Sequence, residues 1–210
     1  SIGMIHKLKG HYLDTKHPVI IENLMGIKRT KGSIQRGKKP ILINHLKAII
    51  NVIDELKTEE IKKARDKTLI LVGFGGGFRR TELVSIDHED LEFVPEGVKI
   101  TLRRSKTDQF GEGTIKGLPY FSNEKYCPVV HLKKWIKISN IQQGPIFRRF
   151  GKGSSLTTNR LTDQSVVLLI KRYLELAGIE NKNYSGHSLR SGFATVSAES
   201  GADERSIMAM

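Results

Sequence analysis

Gly73-Phe-Gly-Gly-Gly-Phe-Arg-Arg-Thr-Glu-Leu83 follows the apolar run Leu69-Ile-Leu-Val72 and opens, with two arginines, what the spacing predicts as a short helix. Glycine lets a backbone approach another object closely and adopt torsions that other residues resist. An arginine just behind such a turn presents its guanidinium fork to a phosphate in a set orientation. The rest of the chain supplies partners for that arginine: Lys106, then His187 and Arg190. Breaking a phosphodiester without a metal needs fixed cations aimed at the non-bridging oxygens, where negative charge gathers in the transition state. It also needs a group that takes the nucleophile's proton and one that gives a proton to the departing 5′ oxygen. Arg79, Arg190, His187 and Lys106 form such a set, and neither a metal nor a cofactor is called for.

The charge balance agrees. The 210 residues hold 35 Lys and Arg against 22 Asp and Glu, a net charge of +13 that draws in polyanions and favours salt-sensitive nucleic-acid binding. Hydrophobic residues at 38% and charged residues at 27% suit a soluble globular protein with one good-sized core. No apolar stretch approaches a membrane span, and the N-terminus lacks the apolar core of a signal peptide. The single cysteine, Cys127, excludes an internal disulfide and a cysteine-based zinc site, so a reducing, cytoplasmic location is expected, nucleoid-associated where DNA is the partner.

Taken in order, residues 1–28 read as two helical pieces, one marked by Ile2, Ile5 and Leu8, the next following Pro18. Residues 29–40, together with Lys28, are basic and nearly free of apolar side chains. This is the composition of a linker with affinity for phosphates, and Lys28, Arg29, Lys31, Arg36, Lys38 and Lys39 are its candidate DNA contacts. Residues 41–210 carry tighter patterns. Asn44 is placed to cap a helix through Leu46, Ile49, Ile50 and Ile53, and a second helix starts near Thr58 and runs into the glycines. Alternation at Leu91–Val94, Val98–Arg104 and Thr114–Tyr120 predicts a small antiparallel sheet, with Lys106 near the tip of its second hairpin. Residues 127–139 return to helical spacing. Residues 148–159 read as a Gly/Ser/Thr-rich loop whose Arg148, Arg149 and Lys152 are candidate backbone contacts. Asp163 is placed to cap an amphipathic helix, another starts near His187, and Asp203 caps a last one. The fold class is therefore mainly α with a small antiparallel β-sheet.

On three boxes the sequence resembles the tyrosine recombinases, the phage integrase family. Gly77-Phe-Arg79-Arg-Thr-Glu82-Leu83 is similar to the family's first arginine box, with Glu82 as the acidic neighbour. Ser105-Lys106-Thr-Asp-Gln resembles its β-hairpin lysine, and Gly186-His187-Ser-Leu-Arg190-Ser-Gly-Phe-Ala-Thr195 its His-x-x-Arg box. The resemblance covers residues 41–210. It implies the fold of a DNA breaking-rejoining catalytic domain, preceded at 1–28 by the end of a core-binding domain and at 29–40 by a basic linker. It implies that Arg79 and Arg190 clamp the scissile phosphate, Lys106 protonates the leaving 5′ hydroxyl and His187 assists proton transfer. Arg80 is then a phosphate or surface contact. The implied partners are double-stranded DNA and, in the full-length protein, three further protomers in a homotetramer.

In that family a further His or Trp and then the nucleophilic tyrosine follow the His-x-x-Arg box. Neither is met before Met210, and none of Tyr12, Tyr120, Tyr126, Tyr173 or Tyr184 stands in the nucleophile's place. With Ser rather than Met at position 1, the expectation is a piece of a longer chain that binds DNA without forming the 3′-phosphotyrosine bond alone. Rivals are a type IB topoisomerase-like enzyme, which shares the chemistry, and a DNA-binding module without catalysis. A metal nuclease is more distant. The glycines at 73–77 lack the third glycine of a dinucleotide loop, Gly151-Lys-Gly-Ser lacks the earlier glycine of a P-loop, and Asp87-His-Glu-Asp90 reads as a solvated turn rather than a metal site.

Overall fold

The computed structural model describes residues 2–32, 37–103 and 113–201, and its contacts divide the chain into two compact units, Ser1–Gly37 and Lys38–Met210. The first holds helices α1 (Ile2–Leu8) and α2 (Pro18–Lys31). Pro18 opens α2, where its missing N–H costs nothing. The helix runs further than composition suggests. Lys28, Arg29 and Lys31 form its last turn, and Gly32 ends it. Long basic side chains are good helix formers and suit a helix C-terminus, so a charged run without apolar residues continues the helix.

In the second unit α3 (Ile43–Glu55) buries Leu46, Ile49, Ile50 and Ile53, as the periodicity predicts. Its start differs: Leu42 is the N-cap, Asn44 lies in the first turn, and the Nδ1 of His45 accepts the Leu42 N–H at 3.3 Å. The next helix, α4 (Glu60–Gly75), is the central element. Everything from Thr68 to Gly75 is buried, because α3, α6 (Pro128–Ser139) and α8 (Ser188–Glu199) all pack on it. The short α5 (Arg80–Ser85) follows the glycine turn.

The strands β1 (Leu91–Val94), β2 (Gly97–Leu102) and β3 (Thr114–Pro119) form an antiparallel sheet in the order β1-β2-β3. Val98, Ile100 and Leu102 point inward from β2, as a half-buried strand should. Trp135 of α6 is fully buried, and its indole N–H donates to the Ile146 carbonyl at 2.9 Å.

Residues 148–160 are not a loop. Arg148–Phe150 (β4) and Leu156–Arg160 (β5) pair as an antiparallel hairpin, with Phe150 opposite Leu156. The buried Phe147 and Leu161 bracket it through a 2.8 Å backbone bond, so tertiary anchoring overrides a composition rich in glycine and serine. Helix α7 (Asp163–Leu176) is capped by Thr162, whose hydroxyl accepts the Ser165 N–H, and Asp163 is its first residue. The Asp87–Asp90 segment is not a solvated turn either. Asp90 is buried against Arg103 at 2.7 Å, and Asp87 takes Arg160 at 2.6 Å. The helix expected after Asp203 lies outside the described residues.

Residues 38–41 run along α8, the Ile41 N–H donating to the Ser188 carbonyl at 2.9 Å. Gly192 makes this approach possible, since a Cβ there would stand 2.0 Å from the Ile41 carbonyl oxygen.

Candidate active site

The glycine turn is built to aim one side chain. After α4 ends, Gly77 takes a φ of +54°, open to few residues but glycine, and a Cβ on it would meet the Phe193 ring at 2.8 Å. Phe78 then drops into the core and leaves Arg79 as the extended residue that caps α5. Glu82 answers it twice. One carboxylate oxygen accepts the Arg79 backbone N–H at 2.9 Å, and the other accepts the guanidinium Nη1 at 2.5 Å. The first contact satisfies a helix N-terminus and the second orients the fork, so Glu82 earns its burial through both.

Helix α8 brings the second arginine. His187 is its exposed N-cap residue, with its backbone N–H on the Ser185 hydroxyl at 3.3 Å. Arg190 lies three residues on, at the spacing that puts two side chains on one helix face. Its Nη1 donates to the Gly77 carbonyl at 2.7 Å, across 113 residues of sequence. Burial first, and then the charge of Arg79, holds the Arg190 guanidinium below its ordinary pKa, while Glu82 opposes the fall. Arg79 and Arg190 thus feel each other's charge beside the Glu82 carboxylate.

Sequence reasoning passed over one member of this cluster. Lys116 of β3 is buried, with its ammonium 3.8 Å from Glu82 and donating to the Gly76 carbonyl at 3.3 Å. Burial brings its pKa down to about 8, with Arg190 and Arg79 adding to the fall and Glu82 opposing it. Inward alternation with Leu118 on β3 is the signal that marks this lysine.

Among the described residues, the other predicted ones are dispersed. Lys106 and Arg36 lie outside the described residues. Arg80 pairs with Asp163 at 3.1 Å, and its stem lies against Gly186. Arg148 turns its guanidinium to the carbonyls of Pro145 and Gln143, whereas Arg149 and Lys152 are exposed. Lys38 and Lys39 are exposed beside residues 182–183, with Lys38 Nζ on the Lys182 carbonyl. Lys28, Arg29 and Lys31 are exposed on α2.

Two tyrosines are held in the core. Tyr173 donates to the buried Asp66 at 2.6 Å, and burial with that carboxylate raises its pKa. Tyr184 is buried edge-on to His45, and burial raises its pKa too.

The mainly helical architecture with small antiparallel sheets is the fold of tyrosine recombinase catalytic domains. Solved structures share the fold: the XerH site-specific recombinase in a post-cleavage complex with a palindromic difH substrate (TM-score 0.64, 18% identity, covering 81% of this chain and 45% of that one). The XerA recombinase matches with a TM-score of 0.61 at 16% identity, over 99% of this chain and 78% of that one. A lambda integrase dimer bound to a COC′ core site also matches at 0.61, with 12% identity over 91% and 53%.

The phage integrase family model matches residues 41–210, and the chain belongs to that family. It is 43% identical over 199 residues to the integrase/recombinase xerD homolog of Selenomonas ruminantium, covering 95% of this chain and 58% of that protein. It is 31% identical over 164 residues to the tyrosine recombinase XerD of Staphylococcus haemolyticus, covering 76% of this chain and 50% of the relative. The chain thus spans between half and three-fifths of the length of these relatives.

Proposed function

We propose that the chain is part of a site-specific recombinase that cleaves and rejoins duplex DNA through a covalent 3′-phosphotyrosine. Arg79 and Arg190 hold the non-bridging oxygens of the scissile phosphate, and Glu82 orients Arg79. A tyrosine hydroxyl attacks phosphorus, giving up its proton with the help of His187. The bond to the 5′ oxygen breaks, and Lys106 supplies the proton that this oxygen takes. The bond energy stays in the phosphotyrosine, so a 5′ hydroxyl of another strand reverses the step. In this reading the tyrosine lies outside residues 1–210. Residues 41–210 form the catalytic domain, and residues 1–28 and 29–40 are the end of a core-binding domain and a basic connector. Lys28, Arg29, Lys31, Arg36, Lys38, Lys39, Arg80, Arg149 and Lys152 contribute to DNA affinity. Arg148 joins them only if it leaves its two carbonyls. Four protomers assemble on DNA, in the cytoplasm and with the nucleoid; among the described residues no helix is long and apolar enough to cross a membrane.

The observation that carries this reading is the junction of Arg79, Glu82 and Arg190 at one turn, in a chain of this family. The test is covalent trapping of the full-length protein on nicked duplex DNA bearing its recombination site, with Arg190→Ala alongside. A protein–DNA adduct that survives denaturation and is lost in the variant supports the recombinase. Tight, salt-sensitive binding without an adduct leaves a DNA-binding module. Relaxation of supercoiled DNA without preference for a site indicates the topoisomerase-like alternative.

A further inference from the structure

Strand β3 keeps its in–out alternation but places an unexpected residue type on each face in one place. Ile115 points outward and is 66% exposed, while its neighbour Lys116 points inward and is 6% exposed. A strand lying against a core normally buries the isoleucine and exposes the lysine. A one-residue shift in register would restore that order, yet Lys116 stays opposite Ile100 of β2 and on the same face as Leu118. Burying an ammonium costs several kcal/mol unless it is paired and hydrogen-bonded (roughly, for a charge taken from water into protein). Lys116 therefore sits inward because something there holds it.

Its surroundings identify what. From the glycine turn come the Gly76 carbonyl at 3.3 Å and the Phe78 ring, whose centroid is 4.9 Å from the ammonium. From α5 comes the Glu82 carboxylate, 3.8 Å away and itself only 3% exposed. The charges of Arg79 and Arg190 reach it as well. Glu82 thus faces Arg79 on one side and Lys116 on another. The oxygen nearest Lys116, Oε2, is also the one that accepts the Arg79 backbone N–H.

We propose that Lys116 is a positioning residue of the phosphate seat: from the core side it holds the Glu82 carboxylate, and through Glu82 it sets the orientation of Arg79 and the charge balance felt by Arg190. This rests on reading Arg79 and Arg190 as the phosphate clamp. Lys116 does not touch the phosphate and donates no proton to the leaving oxygen. The carboxylate needs a fixed partner beneath it, because Arg79 alone would draw it toward the ligand when the ligand binds. Burial and the neighbouring arginines bring the Lys116 pKa to about 8, so its hold weakens as the pH rises through that value.

The test uses the chain labelled at arginine side-chain nitrogens and titrated with inorganic phosphate, following the Arg79 and Arg190 Nε–H signals by NMR. In the parent chain both signals move on adding phosphate. In Lys116→Met, which keeps length and apolar volume, thermal melting reports an intact fold and phosphate affinity falls about tenfold, within the range for coupled neighbours. The Arg79 signal also shifts before phosphate is added. The loss of parent-chain affinity above pH 8 is blunted in the variant. In a Glu82→Gln background, Lys116→Met has no further effect, because its route to the arginines is already cut. Unchanged affinity and unchanged arginine signals in Lys116→Met overturn the proposal, as does an equal loss in the Glu82→Gln background, which marks simple long-range charge. If phosphate leaves both arginine signals of the parent chain unmoved, the clamp reading itself falls and the proposal falls with it.

Discussion

Arg190 Nη1 donates a 2.7 Å hydrogen bond to the Gly77 carbonyl, tying helix α8 to the turn that aims Arg79. The bond makes the two arginines one unit: a shift of α8 moves the backbone that presents Arg79. Lysine at position 190 keeps a positive charge but loses the planar fork that reaches the carbonyl and, in the proposed clamp, a phosphate. Arg190→Lys in the full-length protein should lower the single-turnover rate of covalent trapping by about 10²–10³-fold, the cost of one donor at developing charge. DNA affinity should change little, since it is spread over many phosphate contacts. Gel-shift titration beside the trapping assay separates the two.

Gly192→Ala should destabilise the larger unit by about 1–3 kcal/mol, the usual cost of overpacking. The new Cβ would be 2.0 Å from the Ile41 carbonyl oxygen, a backbone atom that cannot swing aside. Urea denaturation followed by the fluorescence of the buried Trp135 reads the shift in midpoint. An unchanged midpoint would mean that residues 38–41 do not lie on α8.

Tyr173→Phe tests a buried network that includes no proposed catalytic group. Asp66 takes the Tyr173 hydroxyl on one oxygen and Arg65 on the other at 2.6–2.7 Å. Removing the hydroxyl leaves one oxygen of a buried carboxylate short of a donor, at about 1–3 kcal/mol of stability. Covalent trapping by the full-length protein should remain. Its loss with an unshifted melting curve would reopen Tyr173 as a candidate nucleophile.

His131 makes stability depend on acid. Burial, and then Lys67, lowers its pKa from 6.5 to about 4, while its Nε2–H donates to the Lys125 carbonyl at 3.1 Å. Lys134 adds to the fall and Asp54 opposes it. The folded chain keeps this imidazole neutral where the unfolded chain has already bound a proton. Its contribution is therefore complete above pH 6.5 and is lost as the pH falls from there toward 4. His131→Gln should flatten the fall in melting temperature across that window. Parallel profiles for the two proteins would rule this out.

Much of this protein is local and readable in one dimension. The helical stripe of Leu46, Ile49, Ile50 and Ile53, the alternation at β2, and the boxes around Arg79 and His187–Arg190 each rest on neighbours within a turn or two. The pairing of Arg79 with Glu82 is of the same kind, three residues apart on one helix. Partners brought together across the fold are not written in such patterns. Arg80 meets Asp163, Asp87 meets Arg160, Arg148 turns to backbone carbonyls, and Lys116 of β3 meets Glu82 of α5. Residues 148–160 became a hairpin because Phe147 and Leu161 are buried on either side, which the composition of the segment does not encode. Short-range sequence sets which backbone forms and which residue types are available. Which charges share a pocket is decided by packing around α4, because burial removes water and obliges each charge to find whatever partner the fold sets beside it.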